Sequence, residues 1–449
     1  MKAQEFKARL NSINATKLFS DLYGADQVMQ ARKRLEKLID STVADFPASA
    51  SDLRVFSTPG RTELGGNHTD HNRGKVLAAS IQLDALACVT PRDDSQVVFR
   101  STGYPDVLVD ISDSAPRKEE TGSTEALVRG IASEFHARGI QIKGFTANAT
   151  STVLPGSGLS SSAAIEVLIG TIFNGLYHNS RLGAVEIAQI GQKAENIHFG
   201  KPSGLMDQVA CASGGAVTID FADPLKPEVE QVAFDLSSAG YALCVVDTGG
   251  NHADLTPEYA AVPIEMKAVA HYFGKDVLRD VKKADVLEHA HELRAKTGDR
   301  ALLRAMHYYA ENDRVDAMLA ALKSASKNAG VPASRDEAIR SFLELVAASG
   351  DSSWELLQNV FTTKLPSEQG VSLALVLTRE FLAAPTSVAG SKGLKGVSRV
   401  HGGGFAGTIQ AYIPLDLVGA YISWMKPVFG EKAVTVLRIR PIGSTELRP

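Results

Sequence analysis

Residues 153–164 read Val153-Leu154-Pro155-Gly156-Ser157-Gly158-Leu159-Ser160-Ser161-Ser162-Ala163-Ala164. Two glycines free the backbone to curl, three hydroxyls follow, and an apolar rhythm begins at once. Leu159, Ala163, Val167, Phe173 and Leu176 fall near helical spacing and predict an amphipathic helix over 159–176. A helix N-terminus offers unpaired N–H groups and the positive end of a dipole, which suits phosphate. A serine hydroxyl there can also ligate the divalent cation that accompanies a nucleotide. Capping a helix needs one serine rather than three after a Gly-x-Gly turn. Gly156, Ser157, Gly158, Leu159, Ser160, Ser161 and Ser162 therefore read as a phosphate loop.

Upstream, residues 60–74 read GRTELGGNHTDHNRG, with Asn67-His68-Thr69-Asp70-His71 inside. His68 and His71 lie three apart, but no HExxH and no distant Cys/His partner completes a metal set. A polyhydroxylated ligand needs several short polar side chains held close by a loop, and this stretch supplies them; a polar turn tied down by its own His and Asp is the structural alternative. Gly74-Lys75, Gly200-Lys201 and Gly274-Lys275 all lack the glycine five residues upstream that a P-loop requires. Gly402–Gly407 satisfies GxGxxG literally, yet strand-like Thr408–Ile413 follows where a dinucleotide fold needs a helix. A tight glycine turn accounts for it better.

The chain has 449 residues, enough for two domains with large cores, and a formal net charge of −4 with both signs interspersed. No basic patch points to nucleic acid or a membrane surface. The three cysteines, Cys88, Cys211 and Cys244, sit in apolar stretches without CxxC spacing and read as core thiols of a reducing compartment. The N-terminal segment is charged rather than signal-like, and no window has the length of a transmembrane helix. The expectation is a cytoplasmic protein with small-molecule partners.

Helical periodicity fills the first 46 residues or so. Strand-like runs follow at Arg54–Ser57, Gln82–Thr90, Gln96–Ser101 and Asp106–Ile111. A helix over Thr124–Ala137, a strand over Phe145–Val153 and a helix over Gly183–Phe199 come next, then strands at Ala216–Phe221, Glu230–Leu236 and Tyr241–Asp247. Beyond Pro257 the texture is helical, with strands at Thr408–Ile413 and Val434–Ile439. The pattern is α+β rather than regular βαβ alternation. It divides into a helical lead-in over 1–50, an N-terminal lobe over 51–245 and a C-terminal lobe over 246–449.

Four separated stretches, in order and spanning about residues 54–413, resemble the GHMP kinase family and within it the galactokinases. They are Pro59-Gly60-Arg61 through His68-Thr69-Asp70, the GSGLSSSAA loop, Ala194-Glu195-Asn196 with Gly200 through Gln208, and the Gly402–Gly407 turn, which in the family supports the nucleotide loop. The resemblance implies a two-lobed fold: an N-terminal lobe like the ribosomal protein S5 domain 2 fold, a helix-rich C-terminal lobe with an antiparallel sheet, and the active site between them. It implies ATP- and Mg2+-dependent phosphorylation of the anomeric C1 hydroxyl of galactose. In that comparison Asp207 faces the hydroxyl as proton acceptor and Arg61 orients Asp207 and shields charge on the phosphoryl group. Glu195, with Ser162, binds magnesium. Asp70 clamps two ring hydroxyls, and Asn67, His68, Gly204 and Tyr259 stand at other sugar contacts. The residues agree chemically, since phosphoryl transfer is mostly positioning plus charge stabilisation. An aspartate beside an arginine stays ionised, which suits an orienting, hydrogen-bond-accepting role for Asp207 as much as proton abstraction.

Departures from the family pattern bear on the substrate. Asn67 stands where a glutamate usually meets the 6-hydroxyl, and His71 where a tyrosine is usual; both changes would suit a carboxylate at C6, so galacturonate is the alternative substrate, with N-acetylgalactosamine a further one. Glu63 replaces an asparagine, Pro155 is shifted by one place, and His401 replaces a threonine. A non-catalytic galactose and ATP sensor and a dehydrogenase built on Gly402–Gly407 are the competing classes. The intact Ser162-Ala163-Ala164 run, together with Arg61 and Asp207, weighs against the sensor.

Overall fold

The computed structural model describes residues 1–153, 158–250, 255–384 and 396–449. Its first sheet follows the order β12-β1-β2-β5-β3-β4, where β1 is Arg54–Gly65, β2 Lys75–Pro91, β3 Gln96–Ser101, β4 Val107–Asp110, β5 Phe145–Ser151 and β12 Thr445–Leu447. β6 (Ala216–Asp220) pairs with the start of β2 and carries β7 (Glu228–Val232) on its far side. Pairing is antiparallel throughout except between β3 and β5. A second, wholly antiparallel sheet has the order β11-β8-β10-β9, built from β8 (Tyr241–Asp247), β9 (Val397–Val400), β10 (Thr408–Pro414) and β11 (Val434–Leu437).

Two strands run much longer than their sequence texture suggests. β1 and β2 stay paired past Pro59, Gly60 and Gly65, residues that read as turn signals. The register shifts between Pro59 and Arg61 and again between Glu63 and Gly65. Proline cannot donate to the ladder, and bulges absorb it without ending the strand. The same irregularity lets β1 carry Arg61 into the site.

Alternation along the central strands loads both faces of the first sheet. Val55, Leu86 and Cys88 join Phe6, Phe19, Leu22, Leu35 and Ile39 from the lead-in helices α1 (Ala3–Arg9), α2 (Ile13–Tyr23) and α3 (Val28–Asp45). Phe56, Ala87 and Val89 face the other way, against Val128, Ile131 and Phe135 of α4 (Thr124–Ala137) and Val167, Ile172 and Phe173 of α5 (Ser161–Tyr177). The lead-in is also pinned by polar bonds. Tyr23 donates to buried Asp84 at 2.7 Å and Arg34 at 2.6 Å, while buried Arg440 reaches the same carboxylate at 3.4 Å.

The expected helix over Gly183–Phe199 appears as α6 (Ala184–Lys193) continued by a π-turn over Ala194–Phe199, and α7 spans Met206–Ser213. The helix-rich part that follows comprises α8 (Thr256–Tyr272), α9 (Lys283–Glu288), α10 (Ala290–Thr297), α11 (Asp299–Lys327), α12 (Pro332–Ser352), α13 (Gly370–Ala383) and α14 (Val418–Phe429). A boundary near residue 245 would cut through β8, whose partners both lie in the second sheet. The chain crosses between sheets in the segment linking β7 to β8. It returns at the C-terminus, where Leu447 pairs with Val55. Among the described residues, no helix is long and apolar enough to cross a membrane.

Candidate active site

Arg61 and Asp207 form the centre. Arg61 is 5% exposed on bulged β1, and Asp207 lies in the first turn of α7. The guanidinium grips the carboxylate with two bonds, Nε to Oδ1 at 2.7 Å and Nη2 to Oδ2 at 2.8 Å, the geometry in which arginine binds carboxylates most strongly. Its third nitrogen donates to the Gly158 carbonyl, and the Arg61 backbone N–H donates to the Leu159 carbonyl at 3.1 Å. Strand and serine loop meet so closely that a Cβ on Gly60 would stand 2.9 Å from that Leu159 oxygen. Burial would raise the Asp207 carboxyl, but the charge and hydrogen bonds of Arg61, with Ser160, outweigh it and hold Asp207 below its ordinary range.

Ser160 occupies the N-cap position of α5, yet its hydroxyl makes no cap bond and instead donates to Asp207 Oδ2. Its φ of 57° is left-handed, an uncommon setting for serine. This departs from ordinary capping and aims the hydroxyl at the carboxylate. Ser161 and Ser162 open α5, where the first-turn N–H groups have no intrahelical acceptor. Gly158 and Leu159 lie in this junction as expected; Gly156 and Ser157 lie outside the described residues.

Glu195, 2% exposed, sits on the π-turn. Its Oε1 meets the Lys201 ammonium at 3.0 Å and its Oε2 accepts from Gln208 Nε2 at 3.1 Å. No group of three or more His, Cys, Asp or Glu side chains able to hold a metal occurs among the described residues. A magnesium ion would therefore draw most of its ligands from phosphates and water, which is its habit in nucleotide sites. A hard, buried carboxylate oxygen that already faces an ammonium fits that role, with the Ser162 hydroxyl as a second oxygen donor.

The stretch from Gly66 to Lys75 is clamped from outside. His307 on α11 bonds the Asn67 carbonyl at 2.9 Å, Tyr308 donates to the Asn72 carbonyl at 3.1 Å, Glu311 accepts from Gly66 N–H at 3.1 Å and Asn312 from Lys75 N–H at 2.7 Å. Within the loop Asp70 accepts from His71 N–H at 2.9 Å, and Gly204 leaves no room for a Cβ against its carboxylate. His68 Nε2 faces the Gly403 carbonyl at 3.0 Å. Burial, opposed by that bond, pulls the imidazole down to about 4, so His68 is neutral at pH 7 and Nε2 carries the hydrogen. Tyr259 donates to the Gly404 carbonyl at 2.9 Å and sets its ring edge-on to Phe405.

Asn67 does not present its side chain as expected. The amide donates to Gly402 O at 2.7 Å and to both Glu63 oxygens at 3.1 and 3.2 Å, and accepts from Asn359 at 2.8 Å. Its amide nitrogen and oxygen are both engaged inside the protein, where they support the loop. Glu63 is buried in turn and paired with buried Arg399. The Gly402–Gly407 segment is the turn between β9 and β10, and its carbonyls receive Asn67, His68 and Tyr259. It also backs the serine loop, for a Cβ on Gly158 would come within 2.6 Å of Thr408 Oγ1.

Sequence reasoning missed Lys201, Glu166, the role of Gln208 and the clamp on α11. The clamp has a signal in the chain. His307 with Glu311, and Tyr308 with Asn312, are polar pairs at helical spacing on a helix whose buried residues include His307, Tyr308 and Glu311.

The GHMP kinases N terminal domain matches residues 126–215, and the galactokinase galactose-binding signature matches residues 44–91. The galactokinase of Streptomyces coelicolor is 34% identical over 280 residues, 61% of this chain and 70% of its own length. That of Actinobacillus pleuropneumoniae is 31% identical over 367 residues, 81% of this chain and 86% of its own. The crystal structure of Lactococcus lactis galactokinase complexed with galactose superposes with a TM-score of 0.72 at 26% identity, covering 92% of this chain and 100% of that one. Methanococcus jannaschii mevalonate kinase, at 14% identity and a TM-score of 0.56, covers 86% of this chain and 98% of its own and shares the fold. The signature falls on the clamped loop, the kinase domain on the serine loop and Asp207, and the full-length relatives agree: the chain belongs to the galactokinase family of GHMP kinases.

Proposed function

We propose that the protein transfers the γ-phosphoryl group of ATP to the anomeric hydroxyl of galactose, giving galactose 1-phosphate. The observation that carries this reading is the two-bond Arg61–Asp207 pair tied directly to Gly158, Leu159 and Ser160. It sets a carboxylate acceptor and a fixed cation against the serine loop at the start of α5. Asp207, ionised at rest, accepts the hydrogen bond of the C1 hydroxyl and orients an oxygen lone pair for in-line attack. As the new O–P bond forms, the bond to ADP breaks and the hydroxyl proton passes to Asp207. Arg61 holds Asp207 in place and supplies positive charge where phosphoryl charge spreads. Asp70 clamps ring hydroxyls, with His68, Gly204 and Tyr259 shaping the sugar pocket. Magnesium, held by Glu195 and Ser162, would offset the charge of the nucleotide phosphates. Cytoplasmic action accords with ATP as donor and with three buried, unpaired cysteines.

A hexuronic acid is the second reading, favoured by one observation. Glu63, the carboxylate bonded to Asn67, is buried and paired with Arg399, so it offers no free negative charge to a substrate carboxylate beside Asn67. A panel of galactose, galacturonate and N-acetylgalactosamine, read by ATP consumption, separates the two. Preference for galactose upholds the first reading; preference for galacturonate replaces it.

A further inference from the structure

Glu166 lies on α5, fully buried, and takes no part in the chemistry above. Its Oε2 accepts from Gln208 Nε2 at 2.9 Å, and the same nitrogen donates to Glu195 Oε2 at 3.1 Å. One amide thus spans two carboxylates. Two atoms of this trio, Glu166 Oε1 and Gln208 Oε1, are buried with no hydrogen-bond partner. Both would be acceptors if Glu166 were ionised, and two orphaned buried acceptors on one bonded pair are costly. A proton on Glu166 Oε1 shared with Gln208 Oε1 would relieve both at once. A carboxylic acid and a primary amide each present a donor beside an acceptor, and so close into a mutual pair.

Local charge points the same way. Asp207 is balanced by Arg61 and Glu195 by Lys201, whereas Glu166 has no cation in direct contact among the described residues. Burial, then the nearby charge of Glu195, drives the Glu166 carboxyl well above its ordinary value.

We infer that Glu166, as a neutral acid, is a positioning residue that fixes the Gln208 amide and through it aims the Glu195 carboxylate. With its acceptor committed to Glu166, Gln208 cannot flip and keeps an N–H on Glu195 Oε2. Glu195 Oε1 is left free to face a cation, where Lys201 now sits. This rests on Glu195 serving as a cation ligand in the proposed function.

The test uses Glu166→Gln, which replaces the acid O–H by an N–H of similar shape, and Glu166→Ala, which removes the partner. Binding of Mn2+ in the presence of a non-hydrolysable ATP analogue is read by electron paramagnetic resonance. Glu166→Ala is expected to weaken Mn2+ by about 10- to 100-fold, the usual cost of losing a group that orients a metal ligand, while Glu166→Gln binds nearly as wild type does. Infrared spectra at neutral pH should show a protonated-carboxyl band in wild type that Glu166→Gln lacks, a readout that stands even if the alanine variant does not fold. Equal weakening by both variants, no weakening by the alanine variant, or no such band overturns the inference. So does a wild-type protein that binds no Mn2+ with the nucleotide analogue. Mn2+ binding that follows the expected order in a protein unable to phosphorylate any sugar would instead sink the proposed reaction and leave this positioning role standing.

Discussion

Arg61 and Asp207 come from elements 146 residues apart and meet as a planar fork, at 2.7 and 2.8 Å. Arg61→Lys keeps the charge but cannot reproduce two parallel bonds and the further bond to Gly158. A fall in kcat of about 100-fold or more is expected, with a smaller change in KM for galactose, because the lost contacts act on the reacting geometry. Steady-state kinetics check this; an unchanged kcat would remove Arg61 from the reaction centre.

Acid should loosen the sugar loop through Glu311. Burial alone would raise this carboxyl, but its neighbours, chiefly His307, Arg314, Arg399 and Ser349, bring it from 4.5 down to about 2. A lowered folded-state value contributes stability that is fully present above the unfolded value and is lost as pH falls through the folded one. The window runs from about pH 4.5 down to about 2 and is worth roughly 3 kcal/mol. Urea denaturation across that range should show the loss, and Glu311→Gln should flatten it. An equally steep profile in the variant would assign the acid sensitivity elsewhere.

Asn67→Glu should destabilise the protein by about 1–3 kcal/mol, because a second carboxylate would press on Glu63 with Arg399 already committed. Exchanging both, Glu63→Asn with Asn67→Glu, keeps one carboxylate and one amide. It should recover much of that loss, with a coupling energy of about 1 kcal/mol or more. Denaturant melts of the two single variants and the double variant measure it; strict additivity would show that the two side chains do not act as a pair.

Asp84 holds the lead-in helices to the sheet. Asp84→Ala leaves Arg440 charged and fully buried without its carboxylate, at a cost of about 3–5 kcal/mol. Thermal unfolding should shift accordingly. A shift as small as that of a surface substitution would mean that Arg440 is satisfied by its carbonyl contacts alone.

Much of this was legible in the chain because the chemistry is carried by short contiguous runs. The serine loop, the His68–Asp70 turn and the approach to Asp207 each state their residue types within a dozen positions, and Thr124–Ala137 proves a helix from end to end. What escaped depends on distant partners. Pro59 and Gly60 suggest a turn, and it takes β2 alongside to show a bulge. The rotation of Asn67 is set by Gly402 and Asn359, 335 and 292 residues away, which no local pattern encodes. β8 resembles the strands before it in sequence, and only its pairing with β10 and β11 assigns it to the second sheet.

The central claim is that Asp207 orients the anomeric hydroxyl beneath the serine loop. Phosphorus NMR of the product formed from galactose and ATP, by wild type and by Asp207→Ala, tests it most directly. Wild type is expected to place phosphate on the C1 oxygen, with turnover reduced by about 100-fold or more in the variant. Phosphate on another oxygen, or an Asp207→Ala enzyme that works at the wild-type rate, would contradict it.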